Sequence, residues 1–226
     1  LVDSVSEYAI LSHTWLHSEP GEINYDSWHN QNFDLLHPGY RKLVQFSRTA
    51  LEHHGMSFGW MDTVCIDKSS SSELDESIRS MYKWYQGSSM CITYLAESLS
   101  VADMANDSWF TRGWTLQELL APKMLKFYDH NWNQLTSSFN DKRHEGVLEQ
   151  IECATPITGE EIKALVRYTT MSYYPISRRM KWAANRRVTR GEDIAYSLMG
   201  IFDISMPIAY GEGEDIAFDR LINEII

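Results

Sequence analysis

Trp109-Phe-Thr-Arg-Gly-Trp-Thr-Leu-Gln-Glu-Leu-Leu-Ala-Pro122 is the stretch on which the reading of the whole chain turns. It predicts a loop, a glycine hinge at Gly113 and a short helix that Pro122 stops, because proline cannot continue a helix interior. At 3.6 residues per turn, Trp114 and Glu118 share one face, while Leu116 and Leu120, with Leu119 beside them, form the opposite apolar stripe. A helix anchored by leucines thus projects a carboxylate and a large aromatic in one direction. Two readings of that face are open. Either it borders a pocket, or Trp114 is core and Glu118 an ordinary solvated residue.

Outward from this helix the apolar segments alternate in kind. Tyr8-Ala-Ile-Leu-Ser-His-Thr-Trp15 reads as a buried parallel strand, a continuous apolar run with Ser12, His13 and Trp15 at its carboxyl end, where ligands gather on such sheets. Residues 16–38, rich in polar residues, Gly and Pro, predict a long loop. Leu43, Val44, Phe46, Ala50 and Leu51 recur at helical spacing up to a stop at Gly55. Phe58 to Asp67 predicts a second strand with Asp62 inside it and Asp67-Lys68 just past its end. Ser72 and Asp75 suggest a capping box opening a helix that carries Leu74, Ile78, Met81, Tyr82 and Tyr85. Met90–Leu95 and Met124–Tyr128 complete the strands. This alternation predicts an α/β fold, a mainly parallel sheet flanked by helices, over residues 1–138. Beyond 139 no strand is expected. Thr158 with Glu161 and Thr189 with Glu192 suggest further capping boxes, and helical periodicity runs through Ile194, Leu198 and Ile201, then Ile216, Leu221, Ile222 and Ile225. Residues 139–226 are therefore read as a mostly helical C-terminal part of the same domain.

The bulk of the 226 residues narrows the function classes. Eight Trp and twelve Tyr are many for this length, and 43% hydrophobic residues suffice for a sizeable core. A formal net charge of -11 disfavours long polyanions and anionic membranes as partners, so nucleic acid binding is not expected. The absence of a long apolar run argues against a membrane span. The polar start, Leu1 to Glu7, has no basic leader region, and the missing initiator Met suggests an excised piece of a longer chain. Cys65, Cys91 and Cys153 have neither disulfide-framework nor zinc spacing, which points to a reducing, cytoplasmic setting.

Few local motifs carry familiar chemistry. Gly211-Glu-Gly-Glu lacks the Lys of a phosphate loop. No His or carboxylate spacing suits a metal, so no metal site is expected. Ser12 and His13 point to opposite faces of a strand and make a poor nucleophile–base pair. Cys65 reads better as an inert buried thiol than as a nucleophile. His53-His54 reads as favourable charge at a helix C-terminus. Arg178 to Arg190 holds six basic residues and no acid. It is either a solvated helix face or a phosphate site built from Arg forks, with Trp182 a stacking platform or core.

Three of these motifs, Tyr8–Trp15, Trp60–Lys68 and Trp109–Pro122, resemble the fungal heterokaryon-incompatibility (HET) domain. Thr189-Arg-Gly-Glu-Asp-Ile-Ala-Tyr-Ser-Leu-Met-Gly200 and Tyr210-Gly-Glu-Gly213 resemble the motifs that follow it in fungal NOD-like receptors. The resemblance implies a cell-death effector of non-self recognition, joined in the full-length chain to receptor domains. HET domains in turn resemble the TIR fold, a flavodoxin-like sheet, and Trp114 to Leu119 is similar to the TIR segment that supplies the catalytic glutamate of NAD-cleaving members. That likeness implies an NAD glycohydrolase with Glu118 catalytic, NAD as substrate with no resident cofactor, and activity on homo-oligomerisation. It would place Ser12, His13, Trp15, Asp62, Asp67, Lys68, Arg112 and Trp114 around the substrate, with Arg112 or the basic stretch on the diphosphate. The rival is a non-enzymatic module that self-associates through exposed aromatics. The two differ in geometry: a pocket needs Ser12-His13, Asp62 to Lys68 and Glu118 to converge at one sheet edge.

Overall fold

The computed structural model describes residues 7–16, 19–168 and 171–226. The polar start before Glu7 and residues 17 and 18 of the expected loop lie outside them. Four parallel strands form the sheet: β1 (Ala9–His13), β2 (Gly59–Trp60), β3 (Met90–Tyr94) and β4 (Leu125–Tyr128), in the order β2-β1-β3-β4. Ala9 pairs with both Gly59 and Met90, and Cys91 with Leu125. This is the order of the first four strands of a flavodoxin-like sheet, whose switch point lies between β1 and β3.

All five residues of β1 are buried because helices cover both sides. Helix α1 (Tyr25–His29) lies within the expected loop. Helix α2 (Pro38–His54) packs Leu43, Phe46 and Ala50 on the side that also receives Ala9 and Leu11, and turns Leu51 to solvent. It ends at Gly55, whose φ of 68° is left-handed and suits glycine. The expected second strand is cut short. Only Gly59 and Trp60 pair, and the chain then leaves the sheet as α3 (Asp62–Cys65), with Asp62 in its first turn. Asp62 therefore stands past a strand end rather than inside a strand.

Helix α4 (Ser71–Gly87) covers the other side of the sheet. Its cap is Ser70, two residues before the expected one, and Ser70 Oγ accepts from Glu73 N–H. Helix α5 (Thr115–Leu120) lies on the same side and buries all six of its residues. Pro122 follows directly, and buried Lys142 holds the helix end by donating to the carbonyls of Leu120 (3.3 Å) and Pro122 (2.5 Å).

The C-terminal part contributes α6 (Glu145–Ala154), α7 (Gly159–Tyr168), α8 (Ile176–Ala183), α9 (Asp193–Tyr196), α10 (Met199–Phe202) and α11 (Glu214–Ile225). Thr158 and Glu161 exchange the two bonds of a capping box. Glu192 does not cap toward Thr189 as expected; its carboxylate accepts from Gly211 and Gly213 N–H. The periodic run through Ile194 and Ile201 breaks into two short helices, of which Leu198 and Ile201 are buried. Trp182, Leu198, Met199, Ile201 and Leu221 join Ile10, Tyr85, Leu116 and Phe127 in one apolar cluster. Sheet and C-terminal helices thus share a core. Among the described residues no helix is long and apolar enough to cross a membrane.

Candidate functional site

A pocket of about 330 Å³ opens beyond the carboxyl end of β1, where this strand order creates a crevice. Its apolar floor is Ile66, Ile78, Met81 and Tyr85, and its polar lining comes from five separate segments of the chain.

Glu118 reaches it from α5. The side chain is only 7% exposed, and its Oε2 accepts a 2.5 Å bond from Ser12 Oγ. Ser12 is held in turn by Trp109, whose Nε1–H donates to its Oγ at 2.8 Å. Trp109 is itself fully buried, edge-on to Phe110 and Phe127. Burial pushes the Glu118 carboxyl up to about 8, against the opposing Ser12 bond and with the charge of Asp62 adding to it. Glu118 is therefore predominantly protonated at neutral pH.

His13, next to Ser12 on β1, faces a different set of partners. Its Nε2 lies 3.2 Å from Asp62 Oδ1, and Lys42 Nζ lies 3.0 Å from its Nδ1. An ammonium can only donate, so Nδ1 accepts and the ring proton sits on Nε2, facing Asp62. Burial, reinforced by Lys42, lowers the His13 pKa and keeps the ring neutral. Lys42 also bonds Thr14 O (3.1 Å) and pairs with Glu22. For Asp62, burial alone would raise the pKa. Lys68, the His13 bond and the charge around them outweigh it and hold the carboxyl well below the usual range. Glu118 and Asp62 thus share one site in opposite protonation states.

Trp15 stands over this cluster. Its Nε1–H donates to Asp62 Oδ2 at 3.1 Å, and the ring carries Lys68 Nζ at 4.5 Å and Arg112 Cζ at 5.9 Å from its centroid. Across the pocket, Trp114 Nε1–H donates to Asp193 Oδ2 (3.0 Å), and Tyr210 Oη–H to Asp193 Oδ1 (2.7 Å). Arg190 lies over the Tyr210 ring at 4.3 Å.

The C-terminal wall is fastened to the decisive stretch by backbone. Arg187 N–H donates to Thr111 O at 2.6 Å, and Gly113 N–H to Arg187 O at 2.8 Å. This explains Gly113. A Cβ there would come within 2.5 Å of Val188 Cγ1, so glycine permits a close approach rather than acting as a hinge.

Of the residues expected at a site, Ser12, His13, Trp15, Asp62, Lys68, Arg112, Trp114 and Glu118 converge here. Asp67 does not join them. Its carboxylate turns back to accept from Ser69 N–H and Oγ–H, a local turn just outside α3. The basic stretch divides: Arg178 forks onto Glu161, Arg179 bonds Ile201 O, Trp182 is core, and Arg187 and Arg190 reach the pocket. Cys65 lies exposed at the end of α3 rather than buried. His53 and His54 both meet the Tyr128 hydroxyl, at 3.2 and 2.9 Å. The anchoring role of Trp109 and the wall formed by Asp193 and Tyr210 do not follow from the sequence, although the motifs that hold them stand out in it.

The fold and site define an α/β domain with a charged, tryptophan-walled pocket at the carboxyl end of its parallel sheet. The sequence model of the family described as heterokaryon incompatibility protein (HET) matches residues 8–105. The chain is also 38% identical over 234 residues, 98% of its length, to "Vegetative incompatibility protein HET-E-1" of Podospora anserina. It belongs to the heterokaryon-incompatibility family. The chain spans 16% of that relative's length. Glu118 lies beyond the part matched by the family model. No solved structure matches the chain significantly.

Proposed function

We propose that this domain is a death effector of fungal incompatibility and acts by cleaving the nicotinamide–ribose bond of NAD, with Glu118 beside the reacting carbon. The first half draws on the family and on the name of the relative. It carries with it action in the cytoplasm, receptor domains elsewhere in the full-length chain, and activation by homo-oligomerisation. The second half rests chiefly on one observation: a buried carboxyl at a pocket wall, fixed by Ser12 and Trp109, between two tryptophans and a group of cations. The strand order adds support for a TIR-like ancestry.

The chemistry suits these groups. The bond from C1′ of the ribose to the nicotinamide nitrogen breaks with both electrons going to nitrogen, and nicotinamide leaves neutral. The sugar becomes cation-like, a carboxylate beside it stabilises that charge, and water then adds to C1′ and gives up a proton. No acid need protonate the leaving group. Trp15 and Trp114 offer flat walls for the pyridinium, and Lys68, Arg112, Arg187 and Arg190 offer charge for the diphosphate. The raised pKa of Glu118 fits a cationic ligand. A pyridinium entering the pocket favours the ionised carboxyl, so binding near neutral pH releases a proton.

Nicotinamide release by the purified domain, assembled by a fused oligomerisation tag, tests this with Glu118→Gln alongside. The variant is expected to lose at least 100-fold in rate while remaining folded. Undiminished release by the folded variant sinks the reading.

A second reading, a non-enzymatic self-associating module, draws support from apolar side chains left in solvent close together in sequence: Tyr168 (62% exposed), Tyr173 (80%) and Ile176 (44%). It predicts that cell killing survives Glu118→Gln and fails when these three are made polar.

A further inference from the structure

Arg186 stands out among the groups around Glu118. Its Nη1 donates to Arg112 O and to Thr115 Oγ1, both at 2.7 Å, which docks the guanidinium on the first turn of α5. Its other edge, Nε and Nη2, is shielded from solvent and has no hydrogen-bond partner among the described residues. These two N–H groups form the side-on fork that binds both oxygens of a carboxylate. The chain itself shows the filled version. Arg178 uses Nε and Nη2 to hold Glu161 Oε1 and Oε2 at 2.5 and 2.7 Å.

A buried fork left empty carries an uncompensated desolvation penalty, larger for a charged group than for a neutral one. The nearest helix offers an occupant. Thr115, to which Arg186 is bonded, lies three residues before Glu118, and side chains at that spacing are neighbours on a helix. Glu118 is at present bonded to Ser12 instead. We propose that Arg186 is the positioning residue for Glu118, and that its open fork receives the carboxylate when Glu118 loses its proton and releases Ser12. The proton leaves through the pocket, and the carboxylate gains two charge-assisted bonds in place of one hydroxyl bond. The C-terminal helical part thereby completes a site whose carboxyl comes from the α/β part.

Other groups act on the same carboxyl. Asp62 on α3 opposes its ionisation, and Arg112 assists it along with Arg186. Tyr85 on α4 and Cys91 on β3 are also close enough to feel its charge, with burial pushing both of their pKa values up, so both remain neutral across the range where Glu118 titrates. Arg186 is distinguished from Arg112 by the unfilled fork.

The test uses the labelled domain without NAD, so it is independent of whether NAD is the substrate. Heteronuclear NMR from pH 5 to 10 would follow the Glu118 carboxyl carbon and the Arg186 Nε–H together. The Nε–H is expected to shift downfield and exchange more slowly with the same midpoint as the carboxyl, and Glu118→Gln should abolish that transition. In Arg186→Gln the Glu118 midpoint should rise by at least one pH unit, a tenfold weaker release of the proton, and Arg186→Lys should recover part of it. An Arg186 Nε–H blind to the Glu118 titration in the unaltered protein overturns the proposal, even if a variant fails to fold. So does an unchanged midpoint in a folded Arg186→Gln. A domain that passes here yet releases no nicotinamide would refute the NAD reading alone.

Discussion

On unfolding, Glu118 returns to water and its pKa falls from about 8 to the ordinary 4.5. Between those values the folded state binds the extra proton, so stability declines as pH rises from about 4.5 to about 8 and the deficit is complete above that. Gln at this position keeps a neutral acceptor for Ser12 and removes the burden. Glu118→Gln is therefore expected to raise Tm at pH 8–9, from up to about 5 kcal/mol of added stability, and to change it little at pH 4. Thermal melts at the two pH values check this; equal shifts at both would show that Glu118 is not held protonated by the fold. The same substitution is expected to abolish nicotinamide release. A gain in stability with a loss of activity is the pattern of a functional group held against its preference.

The contact between the 111–113 segment and residues 187 and 188 brings Arg112 and Arg186 to the α5 carboxyl and Arg187 to the pocket. Because a Cβ on Gly113 would overlap Val188 Cγ1, Gly113→Ala should push these segments apart, costing about 1–3 kcal/mol. Pairing it with Val188→Ala opens space and should recover most of the loss. Chemical denaturation of the single and double variants measures the coupling, and simple additivity would refute the proposed contact. If Arg186 sets the ionisation of Glu118, the single variant should also carry a raised Glu118 midpoint, which the double restores.

Residues 139–226 are integral to the molecule's core. Trp182, Tyr196, Leu198, Met199 and Ile201 fill the cluster that also covers Ile10, Tyr85 and Leu116, and the loss of even one large buried side chain costs about 3–5 kcal/mol. A fragment ending at residue 138 would expose that entire face. It is expected to be a loosely packed state that binds a hydrophobic dye and lacks near-ultraviolet dichroism, and the intact chain to unfold in one transition. A fragment with sharp, native-like aromatic signals would contradict this.

Much of the architecture was legible in the sequence because it depends on short-range rules. Helix α2 begins at Pro38 and ends at Gly55, and α5 stops before Pro122, since proline and glycine act through their own backbone geometry. Continuous apolar runs marked β1, β3 and β4, and the recurrence of strand and helix gave the parallel sheet and the helical part that follows it. The convergence of Ser12, His13, Asp62 and Glu118 could be expected only once a family resemblance supplied an arrangement, because they come from separate segments. What the tertiary structure decided were the matters that depend on long-range partners. Asp62 reads as a strand residue because its neighbours are apolar, yet the chain leaves the sheet at Trp60. The basic stretch 178–190 reads as one unit of charge, but folding sends Arg178 to Glu161 and Arg187 to the pocket. The protonation of Glu118 and the unfilled fork of Arg186 have no signature in their own segments. Both follow from burial against residues distant in sequence, and burial belongs to the folded chain.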